Sequence, residues 1–420
     1  MINRIKYFGL ILLLVSSISA KASVQDTLQL SIEETDSLFL HQNLLLIASQ
    51  LNVEANKALI IQAKAYPNPH VSIGLDAYDN QNKKPFFIGE DGEKAYEFDQ
   101  IILLGGKRKA EIDLAKKNKD IAELQLADLL RNLKYQLHQS FYDLARTYVV
   151  LPIYDHQLEL LDELITSHEI QSRKGNVPVK DVIRLKTAYL NLSNDRSDLL
   201  KEQLEQIKIL RVLLRVNKSI YPVTETINYS KYNEVQAFSE LLKLALENRP
   251  DLKLTNSQTD FAAISLKLQK RNAIPDLTFT TSYDQLGNAF RNQYLVGFGI
   301  PLPLWDRNKG NIKAAEFQLK VADTLLVEKR TEIEGEVISA IENMNRSVKE
   351  YQKSSALYSG DFEIVFKGES SNYRSGNISI LEFLDFLESY DQSIADFERI
   401  KRDLLFASEQ INFVTASNIY

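Results

Sequence analysis

Cysteine is absent from all 420 residues. That excludes disulfides, thiolate metal centres and a lipid-modified N-terminal cysteine. Proline (10) and glycine (15) are both scarce, below ordinary usage. So few breakers in so long a chain favour long helices. Positive charge is not in surplus: 50 Lys and Arg stand against 56 Asp and Glu, a net charge of -6. Nucleic-acid binding, which needs a basic face, is therefore not expected. Past the N-terminus no stretch approaches 18 apolar residues, so no transmembrane helix is expected.

Catalytic signatures are missing too. There is no GxSxG elbow. The run GGKRK (105–109) lacks the upstream glycine and the Ser/Thr after Lys107 that a phosphate loop requires. The five histidines, His41, His70, His138, His156 and His168, form neither HExxH nor a close HxH pair. His138 and His156 fall on a long amphipathic stretch, where a lone histidine reads as a surface or packing residue. No enzymatic activity, cofactor or dedicated metal site is expected.

What is present begins with an export signal. Arg4 and Lys6 precede the apolar FGLILLLVSSIS, and Ala20-Lys21-Ala22 fits a cleavage site. Residues 1–22 read as a signal peptide. Its apolar run of about 10–12 residues is too short to span a bilayer core of roughly 30 Å.

The rest of the chain repeats itself. QAKAYPNPHVSIGLDAY (62–78) matches LQKRNAIPDLTFTTSY (268–283), with Pro69 and Pro275 in step. The residues upstream match at the same distance from the proline. RKGNVPVKDVIRL (173–185) matches RSGNISILEFLDFL (374–387). The offsets are 206, 206 and 201 residues, read directly from these positions. Two halves follow, 23–220 and 230–420.

Each half has the same order. A first helix is expected over Ile32–Ala65 and over Phe238–Arg271. Two strands with alternating patterns follow, at about 70–78 and 94–104, then at 276–283 and 292–302. Long helices are expected over Lys107–Ser172, interrupted at Pro152, and over Asn311–Asn372. Glycine turns then lead to Val179–Val216 and Ile380–Ser417. Leu126, Leu130, Leu133, Leu137, Phe141 and Leu144 recur at heptad-like spacing. Some sixty helical residues would measure about 90 Å.

Four strands cannot close a barrel alone, and an open sheet edge in lipid leaves backbone groups unpaired. Either the sheet stays in water or other copies complete it. Three copies of four strands would give a twelve-stranded barrel. The alternation is imperfect, with Tyr96 and Phe98 on one face and Ile101 and Leu103 on the other. Pro301 and Pro303 end the last strand. Trp305, the single tryptophan, suits a membrane–water boundary or ordinary packing. Asp306-Arg307-Asn308 is expected to cap the helix starting near Asn311. Gly105 and Gly106 supply the corresponding turn in the first half.

The signal peptide, the repeat, FDQIILLGGKR, IPLPLWDRNKGNIKAAE and the paired RxGNhxh turns together resemble the TolC family of outer-membrane efflux proteins. The LLGGKR and IPLPLWDRN stretches are similar to its heavy-metal cation branch (CzcC-like). The resemblance implies a mostly α fold with a β-barrel portion: a homotrimer, a shared twelve-stranded barrel in outer-membrane lipid, and an α-helical barrel in the periplasm. It also implies docking to a periplasmic membrane-fusion adaptor and an inner-membrane RND-type pump. The substrate would pass unchanged, with metal cations favoured over drugs. Members of this branch often carry a lipidated cysteine. This chain, lacking one, would be held by its barrel alone.

The turns at Gly175-Asn176 and Gly376-Asn377 lie furthest from the strands, and both glycines suit left-handed geometry. The resemblance makes them the closable, adaptor-facing tip. Glu382 and Asp385 lie six and nine residues after Gly376 and share one helical face. Asp181 lies six after Gly175. Residues alone read these acids as solvated first-turn groups favoured by the helix dipole. The resemblance makes them a pore gate, a ring of carboxylates in a trimer. The family's basic residue two after the second glycine is Ile378 here, so the ion pairs locking the tip must differ. A periplasmic coiled-coil scaffold or adaptor without a barrel is the alternative.

Overall fold

A computed structural model of the chain describes residues 27–80, 83–90, 92–224, 227–232, 234–287, 289–358 and 362–420. The expected signal peptide, 1–22, lies outside them. In chain order the elements are β1 (Thr27–Leu30), α1 (Ile32–Gln42), α2 (Leu44–Lys64), β2 (His70–Leu75), β3 (Tyr78–Asp79), β4 (Lys84–Pro85) and β5 (Glu93–Ile102). Then come α3 (Lys107–Arg173), α4 (Val179–Leu214), β6 (Ser219–Pro222), α5 (Phe238–Asn248), α6 (Pro250–Asn272), β7 (Leu277–Leu286) and β8 (Phe290–Gly299). The chain ends with α7 (Lys309–Leu357), α8 (Phe362–Arg374) and α9 (Ile380–Thr415).

The helices form two tiers. Next to the strands, α2, α3, α6 and α7 lie side by side in that order. Further away, the lower part of α3 pairs with α4, and α9 packs on α7, α8 and α3. The apolar stripe predicted on α3 explains the packing: Leu133, Leu137, Phe141 and Leu144 are buried, while Leu126 and Leu130 lean on the same core.

Three helix breaks differ from the sequence reading. Ile32–Ala65 is not one helix but α1 and α2, divided at Asn43. The Asn43 side-chain oxygen accepts from the Leu45 and Leu46 amides at 3.0 and 3.1 Å, and its amide donates to the Leu213 carbonyl at 3.0 Å. That carbonyl belongs to the last turn of α4, whose final C=O groups have no intrahelical partner. So α4 ends where α2 begins. Arg249 plays the same part between α5 and α6. Only 1% exposed, it grips Asp251 with two bonds of 3.0 and 2.6 Å, pairs with Glu336 of α7, and reaches the Val414 carbonyl at the end of α9.

The third difference concerns Pro152. It was expected to interrupt α3, yet α3 runs through it. A proline there forfeits one backbone hydrogen bond, but burial of Val150, Leu151, Leu160 and Leu161 around it holds the helix. The break falls in the other half, where one helix was expected over 311–372. There α7 stops at Leu357, and the Tyr358 ring stacks on Phe362 and Phe397 at 4.5 and 4.2 Å.

The main sheet has the order β2-β5-β7-β8, all antiparallel. Its strands are shifted from the expected bounds: the first stops at Leu75, and a small β3–β4 hairpin follows. The last ends at Gly299, two residues before Pro301. A parallel pair, β1 with β6, lies beside the ends of α4. Asn308 does precede α7, but it makes no side-chain cap. It holds left-handed backbone (φ 57), as does its counterpart Gly106 (φ 73).

His138 ties distant parts of the chain together. Buried on α3, its Nε2 lies 2.8 Å from Asp36 of α1, and its Nδ1 lies 3.0 Å from Glu409 of α9. The second contact is off the line of a hydrogen bond, so it acts as an ion pair. Burial alone would lower the imidazole pKa, but the two carboxylates overcome it and raise it to about 9. A pKa raised on folding gives stability that is complete below the unfolded value near 6.5 and is lost as pH climbs through 9. The shift is worth roughly 3 kcal/mol. Thermal stability should therefore fall between pH 6.5 and 9.5, and His138→Gln should flatten that dependence; parallel curves for the two proteins would refute the bridge.

Candidate channel wall and tip

The register sorts the sheet into two faces. Ile73, Tyr96, Tyr283 and Tyr294 stand in one cross-strand row, and Val71, Phe98, Thr281 and Val296 in the next. Phe279 and Phe298 continue this face, with ring centroids 5.5 Å apart. Most of these side chains are exposed. The opposite face carries His70, Asp99 and Thr280 in one row, Ser72, Glu97 and Ser282 in the next, and Asp284 beyond. The Thr280 hydroxyl donates to Asp99 at 2.5 Å. One face suits hydrocarbon and the other suits water. The segregation is incomplete: Ile101 and Leu295 fall on the polar face.

Both outer edges are open. Among the described residues neither β2 nor β8 has a second neighbour. The helical layer below ends at α2 and α7, and both expose apolar residues: Leu44, Leu45, Leu51, Leu59 and Ile61 on α2, with Phe317, Val321 and Leu325 on α7. By length and composition, α2 would pass for a membrane-crossing helix, contrary to the sequence reading. Its apolar surface lies at the edge of the layer, beside the end of β2.

The turns from strand to helix are fixed by charge. Lys107, buried at the start of α3, forms an ion pair of 2.8 Å with Asp276, whose other oxygen accepts from the Leu104 amide at 2.9 Å. Gly105 has φ +65, and a Cβ there would lie 2.6 Å from Ile274. In the other half, Trp305 is 93% exposed, so no described residue of this chain covers it.

At the far end, Gly175 and Gly376 hold φ +78 and +74. Each closes its helix with paired bonds: Asn176 N–H to the Gln171 carbonyl at 3.0 Å, and Asn377 N–H to the Asn372 carbonyl at 2.9 Å. The three acids differ. Asp181 is largely covered and lies 3.8 Å from Arg184. Glu382 closes a capping box: its carboxylate accepts from the Ser379 amide at 2.8 Å, and the Ser379 hydroxyl accepts from the Glu382 amide. The backbone bond holds its pKa below the usual range. The Ser-x-x-Glu signal was there to be read in the sequence. Asp385, one turn on, is exposed, and its carboxylate has no ion pair among the described residues.

The structure also shows what the sequence did not. Ile378 packs into an apolar cluster with Leu161, Leu185, Phe383 and Leu387, so the tip is held partly by apolar contact. Tyr373 of α8 stacks on Phe383 at 4.6 Å, and its hydroxyl meets His168 Nε2 of α3 at 2.9 Å. Burial, then the charge of Asp181, pushes this phenol up to about 12, so it stays protonated. Deeper in the helices, Asp391 is half-buried near Gln157, with Asp195 and Glu388 nearby, and desolvation raises its pKa to about 7. No group of three or more His, Asp or Glu side chains converges as metal ligands among the described residues.

A two-faced sheet on side-by-side helices, with matching open edges, is the fold shared with solved outer-membrane channels. The family description "Outer membrane efflux protein" matches residues 241–417. The chain is 22% identical to the cobalt-zinc-cadmium resistance protein CzcC of Cupriavidus metallidurans, over 85% of this chain and 82% of that one. It is 21% identical to the nickel-cobalt-cadmium resistance protein NccC of Alcaligenes xylosoxydans, covering 73% and 69%. Among solved structures, CusC superposes with a TM-score of 0.73 at 17% identity, over 92% of each chain. The Campylobacter jejuni CmeC outer membrane channel gives 0.74 at 14%, over 92% of this chain and 86% of that one. The chain is therefore similar to outer-membrane efflux proteins of the TolC type, CzcC among them.

Tyr373→Phe removes the hydroxyl bonded to His168 but keeps the ring stack. It should leave stability within about 1 kcal/mol and raise the fraction of time a reconstituted channel spends open. Single-channel recording checks this, and unchanged open times would refute the tie.

Proposed function

We propose that three copies of this chain form a passive exit duct through the outer membrane, closing one barrel of twelve strands (three times the four seen here). One observation carries it: the open strand edges and the exposed apolar stripes of α2 and α7 fall on the same two sides of the protomer. Unpaired strand edges are not tolerated in hydrocarbon. Pairing β2 of one copy with β8 of the next would satisfy them and bury both stripes at once. The face that carries Glu97, Asp99 and Asp284 would then line the lumen.

The duct would work with a periplasmic adaptor and an inner-membrane pump that supplies the driving force. The tip turns at Gly175-Asn176 and Gly376-Asn377 are the adaptor-facing surface. Metal cations are the proposed cargo, on the names of the curated relatives. Trp305 would sit at the periplasmic boundary of the bilayer, since an amphipathic ring this exposed fits that interface.

Asp385 is the proposed gate. Threefold symmetry would make it a ring of carboxylates, which attracts cations. Glu382 is spent on its helix cap and Asp181 faces Arg184, so both would contribute less. In a planar bilayer, Asp385→Ala should raise conductance and weaken block by multivalent cations; identical traces would remove Asp385 from the gate. Cells deprived of the chain should lose tolerance to cobalt, zinc, cadmium or nickel before tolerance to dyes and detergents. The reverse order would point to organic cargo.

A further inference from the structure

The loop between β2 and β5 does not simply cap the sheet. It folds down over the face assigned to lipid. Gln285 shows this. It shares that face with Lys94 and Leu75, which are its row partners in the ladder. Only 5% exposed, its amide donates to the carbonyls of Gly89, Glu90 and Gly92 at 2.8, 2.6 and 3.2 Å. Lys94 reaches the Ile88 carbonyl at 3.4 Å from the same face. Gly92 is packed so closely that a Cβ would lie 1.9 Å from the Phe87 carbonyl oxygen. The loop is therefore pinned, not loose.

What it presents is unusual for a water-exposed turn. Phe86 and Ile88 are exposed, and the Lys84 ammonium sits 5.2 Å from the centre of the Phe87 ring. Lys83 and Phe86 both hold left-handed backbone (φ 51 and 46), which costs energy in residues with a Cβ. Lys83, Lys84 and Lys94 form no ion pair among the described residues. Glu93 alternates with Lys94 and so faces the other side of the sheet. These ends of the strands are the ones away from the helices, so they stand at the outer leaflet.

We propose that this loop is a docking platform for the phosphorylated glycolipid of the outer leaflet, with Phe86, Phe87 and Ile88 set among the acyl chains and Lys83, Lys84 and Lys94 on the headgroup phosphates. The apolar part continues the lipid face of the sheet, and cations above an aromatic belt meet anionic headgroups in the expected order. The platform rests on the barrel reading above, which sets which face meets lipid.

The test is native mass spectrometry of the full-chain particle with added diphosphorylated lipid A. Only particles already shown to contain three chains and to conduct are used, so failure of the platform and failure of the barrel are distinguishable. Wild type should retain the lipid at least tenfold better than the triple variant Lys83→Gln, Lys84→Gln, Lys94→Gln. Gln285→Leu, which keeps every lysine but unpins the loop, should also lose it. Equal retention by the triple variant would overturn the proposal. So would equal retention of dephosphorylated lipid A or of phosphatidylglycerol, since the site would then read neither phosphate nor glycolipid.

Discussion

Backbone groups on an open strand edge have nowhere to go in hydrocarbon, and the architecture of this chain follows from that. Four strands cover too little of a circle to close. The sheet has one largely apolar face and, among the described residues, leaves β2 and β8 without outer partners. In the proposed duct a second copy would supply them. The helices below repeat the problem in a different form: α2 and α7 carry apolar side chains at the same margins. In water those stripes would favour association through burial, at about 25 cal/mol per Å² of apolar surface. Hydrogen bonding in the sheet and burial in the helices thus require the same neighbour.

The helical part has its own constraint. Each long hairpin ends in carbonyls that no helix can satisfy, and the next helix must start there. Asn43 and Arg249 stand at those two junctions. One is a small amide that caps α2 and takes up the Leu213 carbonyl. The other is a buried guanidinium held by Asp251 and Glu336. Burying such a charge is costly unless every partner is present. Here the partners come from α6 and α7, so the ion pairs fix how the layers stack. His138, bound by acids from α1 and α9, does the same across the two halves of the chain.

Much of this was legible in the sequence. Period-two runs marked the strands and heptad-like leucines the long helices, because those periodicities are local. The glycines at 105, 175 and 376 were legible for the same reason. What escaped depended on partners far along the chain. Nothing near Asn43 says that it bonds to Leu213, and nothing near His138 points to Asp36 or Glu409. Pro152 misled because its cost is local while the packing that offsets it is not. The rows that join the strands of the sheet appeared only with four strands in register, and Ile101 still falls on the polar face. At the tip, Glu382 and Asp385 have the same spacing logic, yet one caps a helix and the other does not.

The measurement that bears most directly on the shared barrel is the protein mass of the particle extracted from outer membranes in detergent. Light scattering should give a mass near three processed chains, since neighbouring copies would pair the edges of β2 and β8. A monomer that stays soluble without detergent would leave those edges in water, and the duct would give way to a periplasmic scaffold.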